Sequence, residues 1–248
     1  TRPQALPWPD MIGYTVTLEV LYQDDDIVVV NKPSGLLVHR GWDNDEVVAM
    51  TLVRDMVGQH VYPVHRLDRP TSGVLLMALH KDAARALSSD FEHRRMAKAY
   101  LALVRGIAPE RGLIDNPVPK KPKGERVPAV TAFERKFIFE RYSLVAAWPR
   151  TGRLHQIRRH LKHITHPLIG DVNYGKGEHN RIFRERFGLT RLALHALSIS
   201  LPHPVTGDKQ TFHAPLPEDL AAPLLAMGVS HELVYGSDEF LNNLALHS

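Results

Sequence analysis

Cysteine is absent from the 248 residues. That excludes disulfides, thiolate-bound zinc and a cysteine nucleophile, and it is compatible with a reducing cytoplasmic setting. Also absent is any run of 18 or more apolar residues, so no segment is suited to span a bilayer and no membrane partner is expected. The stretch Thr1 to Asp10 has three prolines and no apolar centre, and does not read as a signal peptide. It also lacks an initiator Met, which leaves the native start open. Internal repeats and low-complexity tracts are missing. What remains is 44% hydrophobic and 23% charged, enough for a sizeable core and too apolar for a disordered chain.

Charge of one sign is lacking in two places. After Lys209 there is no Lys or Arg, but Glu218, Asp219, Glu232, Asp238 and Glu239 follow. From Arg141 to Gly170 there is no acid, against six Arg and Lys. The net charge of +4 therefore hides a strongly basic body and an acidic end. Such a field attracts polyanions, nucleic acid first, although a basic enzyme with a solvated arginine face has the same composition.

The apolar pattern predicts strands at Val16–Tyr22 and Asp26–Lys32, then a helix over Glu46–Gly58. A core strand is expected at Gly73–Leu79, and a helix capped by Asp82 carries Ala83, Leu87 and Phe91 on one face. Ala97–Gly106 returns as a strand. Residues 109–128, with five prolines and Lys120, Lys121, Lys123 and Arg126, read as a basic loop. Ala129–Trp148 reads as β-rich, and Leu154, Ile157, Leu161 and Ile164 predict a helix over Gly152–Ile164. Strands at Arg191–Ser200 and Gln210–His213 flank a turn. Without strict βαβ alternation, the fold class is α+β.

The chemistry gathers in His65-Arg66-Leu67-Asp68-Arg69-Pro70-Thr71-Ser72-Gly73, one acid between two arginines, at a turn that opens onto a core strand. Pro70 and Gly73 make that segment irregular and exposed, where functional groups tend to lie. On spacing alone a surface Asp paired with its neighbours is the favoured account.

HRLDRPTSGVLL, however, resembles the signature of the RluA-type pseudouridine synthases. Further similar blocks follow in order: Asn31–Leu36 (NKPSGL), Lys98-Ala99-Tyr100, Thr151–Arg158 (TGRLHQIR), His166–Asp171 (HPLIGD), Arg191–Ala196 (RLALHA) and His203-Pro204. The likeness covers Leu18 to Leu220. Leu37–Arg40, the helix Thr51–His60 and Arg181–Gly188 are most similar to the tRNA pseudouridine-65 branch. The resemblance implies a central, mostly antiparallel mixed sheet flanked by helices and loops. It also implies an isomerase that converts a uridine to pseudouridine, with tRNA position 65 expected first and ribosomal RNA or another tRNA site as the alternative. The expected organisation is a tail over 1–15, a catalytic domain over 16–220 with no S4 domain, and an acidic extension over 221–248. A monomer is expected.

The resemblance assigns catalysis to Asp68, with Arg158 as its charge partner and Tyr100 stacking on the base. Arg66 would fill the gap the base leaves, and Ile157, Arg153, His155 and Gln156 would bind substrate. An Asp at pKa about 3.9 is ionised without help, but burial under an everted base raises it by up to about 3–5 units, and a close arginine lowers it by about 1–3. From their spacing alone, Ile157 reads first as core, and Tyr100 reads equally as a half-buried strand aromatic. The isomerisation is neither redox nor hydrolysis, so no cofactor and no metal is expected. His155, His160, His163 and His166 sit among arginines without an acid, which argues against a cation there. A second carboxylate for glycosidase-type chemistry is not evident in Asp55 or Asp82, and a non-catalytic RNA-binding module would have no use for Asp68. Arg40, the 109–128 loop and Arg181–Arg191 are candidate phosphate contacts.

Overall fold

The computed structural model describes residues 18–39, 47–121 and 123–236. The expected tail, Arg40, the start of the Val16–Tyr22 strand, Asp238 and Glu239 lie outside them. In chain order the elements are β1 (Glu19–Gln23), β2 (Ile27–Lys32), α1 (Ala49–Val57), β3 (Tyr62–Pro63), β4 (Ser72–Ala78), α2 (Lys81–Glu92), β5 (Ala97–Arg105) and β6 (Arg111–Asp115). They continue with β7 (Val118–Pro119), β8 (Arg126–Val127), β9 (Val130–Phe139), β10 (Tyr142–Pro149), α3 (Gln156–His163), α4 (Gly177–Phe187), β11 (Leu194–Pro202), β12 (Lys209–His213), α5 (Glu218–Ala226) and α6 (His231–Tyr235).

One large sheet runs β1-β2-β4-β11-β5-β10-β9-β6, with β12 beside β11 and β3 beside β4. Every pairing is antiparallel except β4 with β11, which touch in parallel at only His195–Ser72 and Ala196–Gly73. The sheet is thus two antiparallel halves joined at a narrow seam. The seam needs a glycine: Gly73 has φ +122°, and a Cβ there would lie 2.2 Å from the Ala196 carbonyl oxygen. Asp68 stands just ahead of this seam, in the loop that enters β4.

The two faces of the sheet bury different layers. Along β5, Tyr100, Ala102 and Val104 join Leu75, Leu87, Ile157 and Leu161 in one core. Ala99, Leu101 and Leu103 turn to the other face and pack with Phe183, Leu220 and Leu224 of the last helices. The alternation follows from the two-residue period of a strand. Residues 221–234, expected as an acidic extension, belong to this second layer: Ala221, Leu224, Met227, Leu233 and Val234 are buried. Glu232 within them, with Glu218 and Asp219 just before, obscured an apolar helical face.

Three other expectations change. The cap of α2 is His80, not Asp82: its Nδ1 accepts the Ala83 N–H at 3.2 Å while Nε2 meets Asp26 at 2.7 Å. The basic loop is partly strand, since β6 pairs with β9 and β7 with β8. And α3 starts at Gln156, because His155 takes a left-handed φ of 52° and Gln156 folds its amide back on the turn before it. Arg181–Gly188 forms most of α4 and its glycine cap.

Candidate active site

The Asp68 loop is held from behind. Lys32, fully buried at the end of β2, donates from Nζ to the carbonyls of Pro33 (2.9 Å), Leu36 (2.8 Å) and Arg69 (3.2 Å). Burial, helped by the Arg191 charge, pulls its pKa down to about 7. The Gly35 N–H donates to the Arg69 carbonyl at 2.8 Å, and the Ser34 hydroxyl to that of Pro70 at 2.8 Å. The NKPSG block therefore grips the two residues after the acid. A turn bond from the Thr71 N–H to the Asp68 carbonyl, at 2.9 Å, completes the loop. His65, whose Nε2 accepts the Leu76 N–H, is a neutral strut pushed down to about 3 by burial.

The facing wall is the segment Thr151–Arg158. Arg158, 3% exposed, donates from Nη1 to Asp68 Oδ2 at 3.2 Å. Its Nε and Nη2 go to Asp171, at 2.7 and 2.9 Å. Burial opposes the guanidinium charge, but the hydrogen bonds and charge of Asp171, then the charge of Asp68, hold its pKa above the ordinary value. Asp171 has no exposed side chain and also accepts the N–H groups of Asn173 and Tyr174. Burial favours its protonated form, yet Arg158 and those N–H groups keep its carboxyl below the usual range. The Tyr174 ring lies 5.1 Å from the Arg158 guanidinium, and its hydroxyl meets His155 Nδ1 at 2.9 Å. The opposite nitrogen of His155 is 3.7 Å from Asp68.

Between these walls lies a cavity of about 530 Å³. All eight residues expected at the site, Arg66, Asp68, Tyr100, Arg153, His155, Gln156, Ile157 and Arg158, border it. Their polar atoms are not equally available. The Asp68 side chain is 17% exposed. Tyr100 is nearly buried, and burial with the nearby Asp68 charge pushes its hydroxyl well above the ordinary phenol value. Arg66 is exposed and, among the described residues, has no hydrogen bond or ion pair. Arg153 reaches the Pro128 carbonyl.

Gln156 departs from the expectation of substrate binding. Its oxygen accepts from Thr151 Oγ1 and the Arg153 N–H, and its nitrogen donates to the Val130 carbonyl and Thr131. All four bonds are internal, so its amide shapes the turn that places Arg158. Arg191 is likewise no phosphate contact: it is 8% exposed and bound to Asp219, Ser72 and the Leu194 carbonyl. Lys120 and Lys121, from the basic segment, do reach the cavity.

Asp171, Tyr174, Lys32 and Lys98 carry the site without having been singled out. For Asp171, Lys32 and Lys98 the signal lay in blocks already marked, HPLIGD, NKPSGL and KAY, whereas Tyr174 lies just past HPLIGD and carried none. The histidines of the α3 segment do not converge: His160 bonds Thr131 and the Asn116 carbonyl, and His166 the Arg105 carbonyl. Among the described residues the one metal-competent group is Asp24, Asp26 and His203. There His203 Nδ1 accepts backbone N–H groups, which leaves the proton on Nε2 to donate to Asp24, so the group is a hydrogen-bonded staple between hairpins. The oxygens of Asp171 are likewise taken, which among the described residues leaves Asp68 as the carboxylate open to the cavity and speaks against a two-carboxylate reaction.

Comparison with known proteins identifies the family. A family model described as RNA pseudouridylate synthase matches residues 26–163. The chain is 47% identical over 220 residues to a tRNA pseudouridine synthase C of Yersinia pestis, covering 79% of this chain and 86% of that protein. It is 45% identical to the protein of the same name from Haemophilus ducreyi, covering 79% and 90%. Human RNA pseudouridylate synthase domain containing 4 superposes with a TM-score of 0.70 at 25% identity, over 86% of this chain and 94% of the other. With a family model matched over more than half of the chain and relatives at 45–47% identity, the chain belongs to the RNA pseudouridylate synthase family.

Proposed function

We propose that this protein converts uridine to pseudouridine in tRNA, at position 65, with Asp68 as the group that acts on the nucleotide. The observation that carries the reading is the Asp68–Arg158–Asp171 chain at the edge of a cavity lined by Tyr100 and Ile157. A uridine inside folded RNA must leave its stack to reach that cavity, at a cost of a few kcal/mol. Stacking on Tyr100 returns about 1–3 kcal/mol of it, with Ile157 closing the other side. Arg66, exposed at the mouth and unengaged among the described residues, is placed to occupy the space the base vacates. Arg153 and His155 border the path of the backbone, and Gln156 positions the turn.

With Arg158 supplying positive charge next to it, the Asp68 carboxylate is fixed at the cavity edge. From there it attacks the sugar or base, or takes a 2′ proton. The N1–C1′ bond opens, the base turns, and C5 joins C1′. The names of the relatives support tRNA as the substrate, and the basic edge from Lys120 and Lys121 suits its backbone. No helix among the described residues is long and apolar enough to cross a membrane, in keeping with a cytoplasmic site of action. The catalytic unit we assign runs from Leu18 through Val234, since the last helices complete the core.

The test is chemical mapping of pseudouridine after incubation with unmodified tRNA and ribosomal RNA transcripts. Conversion at tRNA position 65 is expected. Conversion confined to ribosomal RNA would replace the target, and none in either would remove the activity.

A further inference from the structure

The site holds one half-buried cation that the chemistry above does not use. Lys98 lies two residues before Tyr100 on β5, so both side chains leave the same face of the strand, roughly 7 Å apart. Its Nζ borders the same cavity, sits 5.7 Å from the Phe91 ring centroid, and would be 3.5 Å from a Cβ placed on Gly152. Among the described residues it has no hydrogen bond and no acidic partner. The other cations of the cavity differ. Arg158 is spent on two carboxylates, Arg153 on a carbonyl, and Arg66, Lys120 and Lys121 are exposed at the mouth. A half-buried charge without a counter-charge is costly, and is most useful where a reaction brings the counter-charge in.

The isomerisation does so. When the N1–C1′ bond opens, its electron pair stays on the uracil ring, which is then an anion spread over N1, O2, C5 and O4. The same pair forms the C5–C1′ bond after the ring turns. The C5 hydrogen then leaves as a proton and N1 gains one, so the sum is zero. We propose that Lys98 is a further catalytic residue, its ammonium facing the edge of the base stacked on Tyr100 and pairing with the negative charge of the detached uracil. Asp68 then serves the sugar side and Lys98 the base side, and each is kept to its task by different neighbours. This rests on the pseudouridine synthase reading.

Burial beside Phe91 draws the Lys98 pKa down to about 8. The other titratable or charged groups facing it are His65 from the Asp68 loop, Asp68 itself, Tyr100 on its own strand, and Arg153, His155 and Arg158 across the cavity. Below about pH 8 the lysine is charged, and above it the amine dominates. The wild-type rate should therefore fall as pH rises through that value when measured at subsaturating enzyme, where free-enzyme ionisations show.

The experiment is single-turnover conversion by wild type, Lys98→Met and Lys98→Arg, with RNA affinity and melting temperature measured alongside. Methionine should slow the chemical step by about 10²-fold, the usual cost of removing one stabilising donor, with affinity changed less than threefold and melting not lowered. Arginine should recover at least a tenth of the wild-type rate and hold it across pH 8. The proposal is overturned if methionine keeps a third of the rate, if rate and affinity fall together as for a phosphate contact, if arginine is no better than methionine, or if its rate falls over the same pH limb as wild type. Absence of conversion by wild type would instead sink the underlying reading.

Discussion

Strand β5 serves two regions that differ in what holds their residues. On one face Leu101 and Leu103 meet Phe183, Leu220 and Leu224 in a dry layer, where Phe183 packs edge-on against Tyr142 at 4.6 Å. On the other face Lys98 and Tyr100 border a cavity in which charges face one another and the pKa values of Lys98, Tyr100 and Arg158 are displaced. The closed face is specified by shape, so errors there should cost stability. The open face is specified by charge, so errors there should cost chemistry while the fold stands.

The sharpest separation is expected from Asp68→Asn, which should reduce conversion by at least about 10⁴-fold, or ~5 kcal/mol of barrier, with RNA affinity and melting nearly unchanged. More than a few per cent of wild-type turnover would break the assignment. Next comes Phe183→Ala on the closed face, expected to cost about 3–5 kcal/mol in urea unfolding while the rate per folded molecule is preserved. A matching loss of rate at a temperature where the variant is folded would show that the two faces are not separable.

Asp171→Asn lies between the extremes. It keeps the shape but withdraws the charge behind Arg158, and should slow the chemical step by about 10²-fold, ~2.7 kcal/mol, mostly in kcat rather than KM. Partial recovery with Asp171→Glu would mark a positioning role, and an unchanged kcat would exclude one. A smaller effect is expected where charge meets only backbone. Lys120 and Lys121, candidate phosphate contacts, are exposed at the edge of the cavity. Replacing both with Gln should lower the slope of log affinity against log salt by roughly 1.5 to 2, leaving the chemical step intact. The smallest effect of all should come from exhaustive chelation, and a rate that drops with EDTA would reopen the question of a metal.

Much of this was legible residue by residue. The buried strands β2 and β4 show as continuous apolar runs, and HRLDRPTSG shows an acid at an irregular loop beside a tight glycine. Less legible was the role of Gln156, because a polar residue in a motif reads as a ligand contact until its four internal bonds are seen. The acids after Lys209 drew attention away from Leu220, Leu224 and Leu233, whose spacing builds the closing helices. Arg191 read as a surface cation, although only its burial against Ser72 and Asp219 shows that it is structural.

Local order and the chemical inventory follow from the chain itself. Apolar period, glycine and proline turns and the excess of arginine act within a few residues, so they determine strands, helices, basic character and the carboxylate at position 68. Which charges meet is a different matter. Asp68 and Arg158 are 90 residues apart along the chain, and Lys98 shares their cavity only because β4, β5 and β11 lie side by side with one parity of side chains turned inward. Electrostatic coupling depends on separation in space and on burial, and both quantities come into being only when the sheet closes.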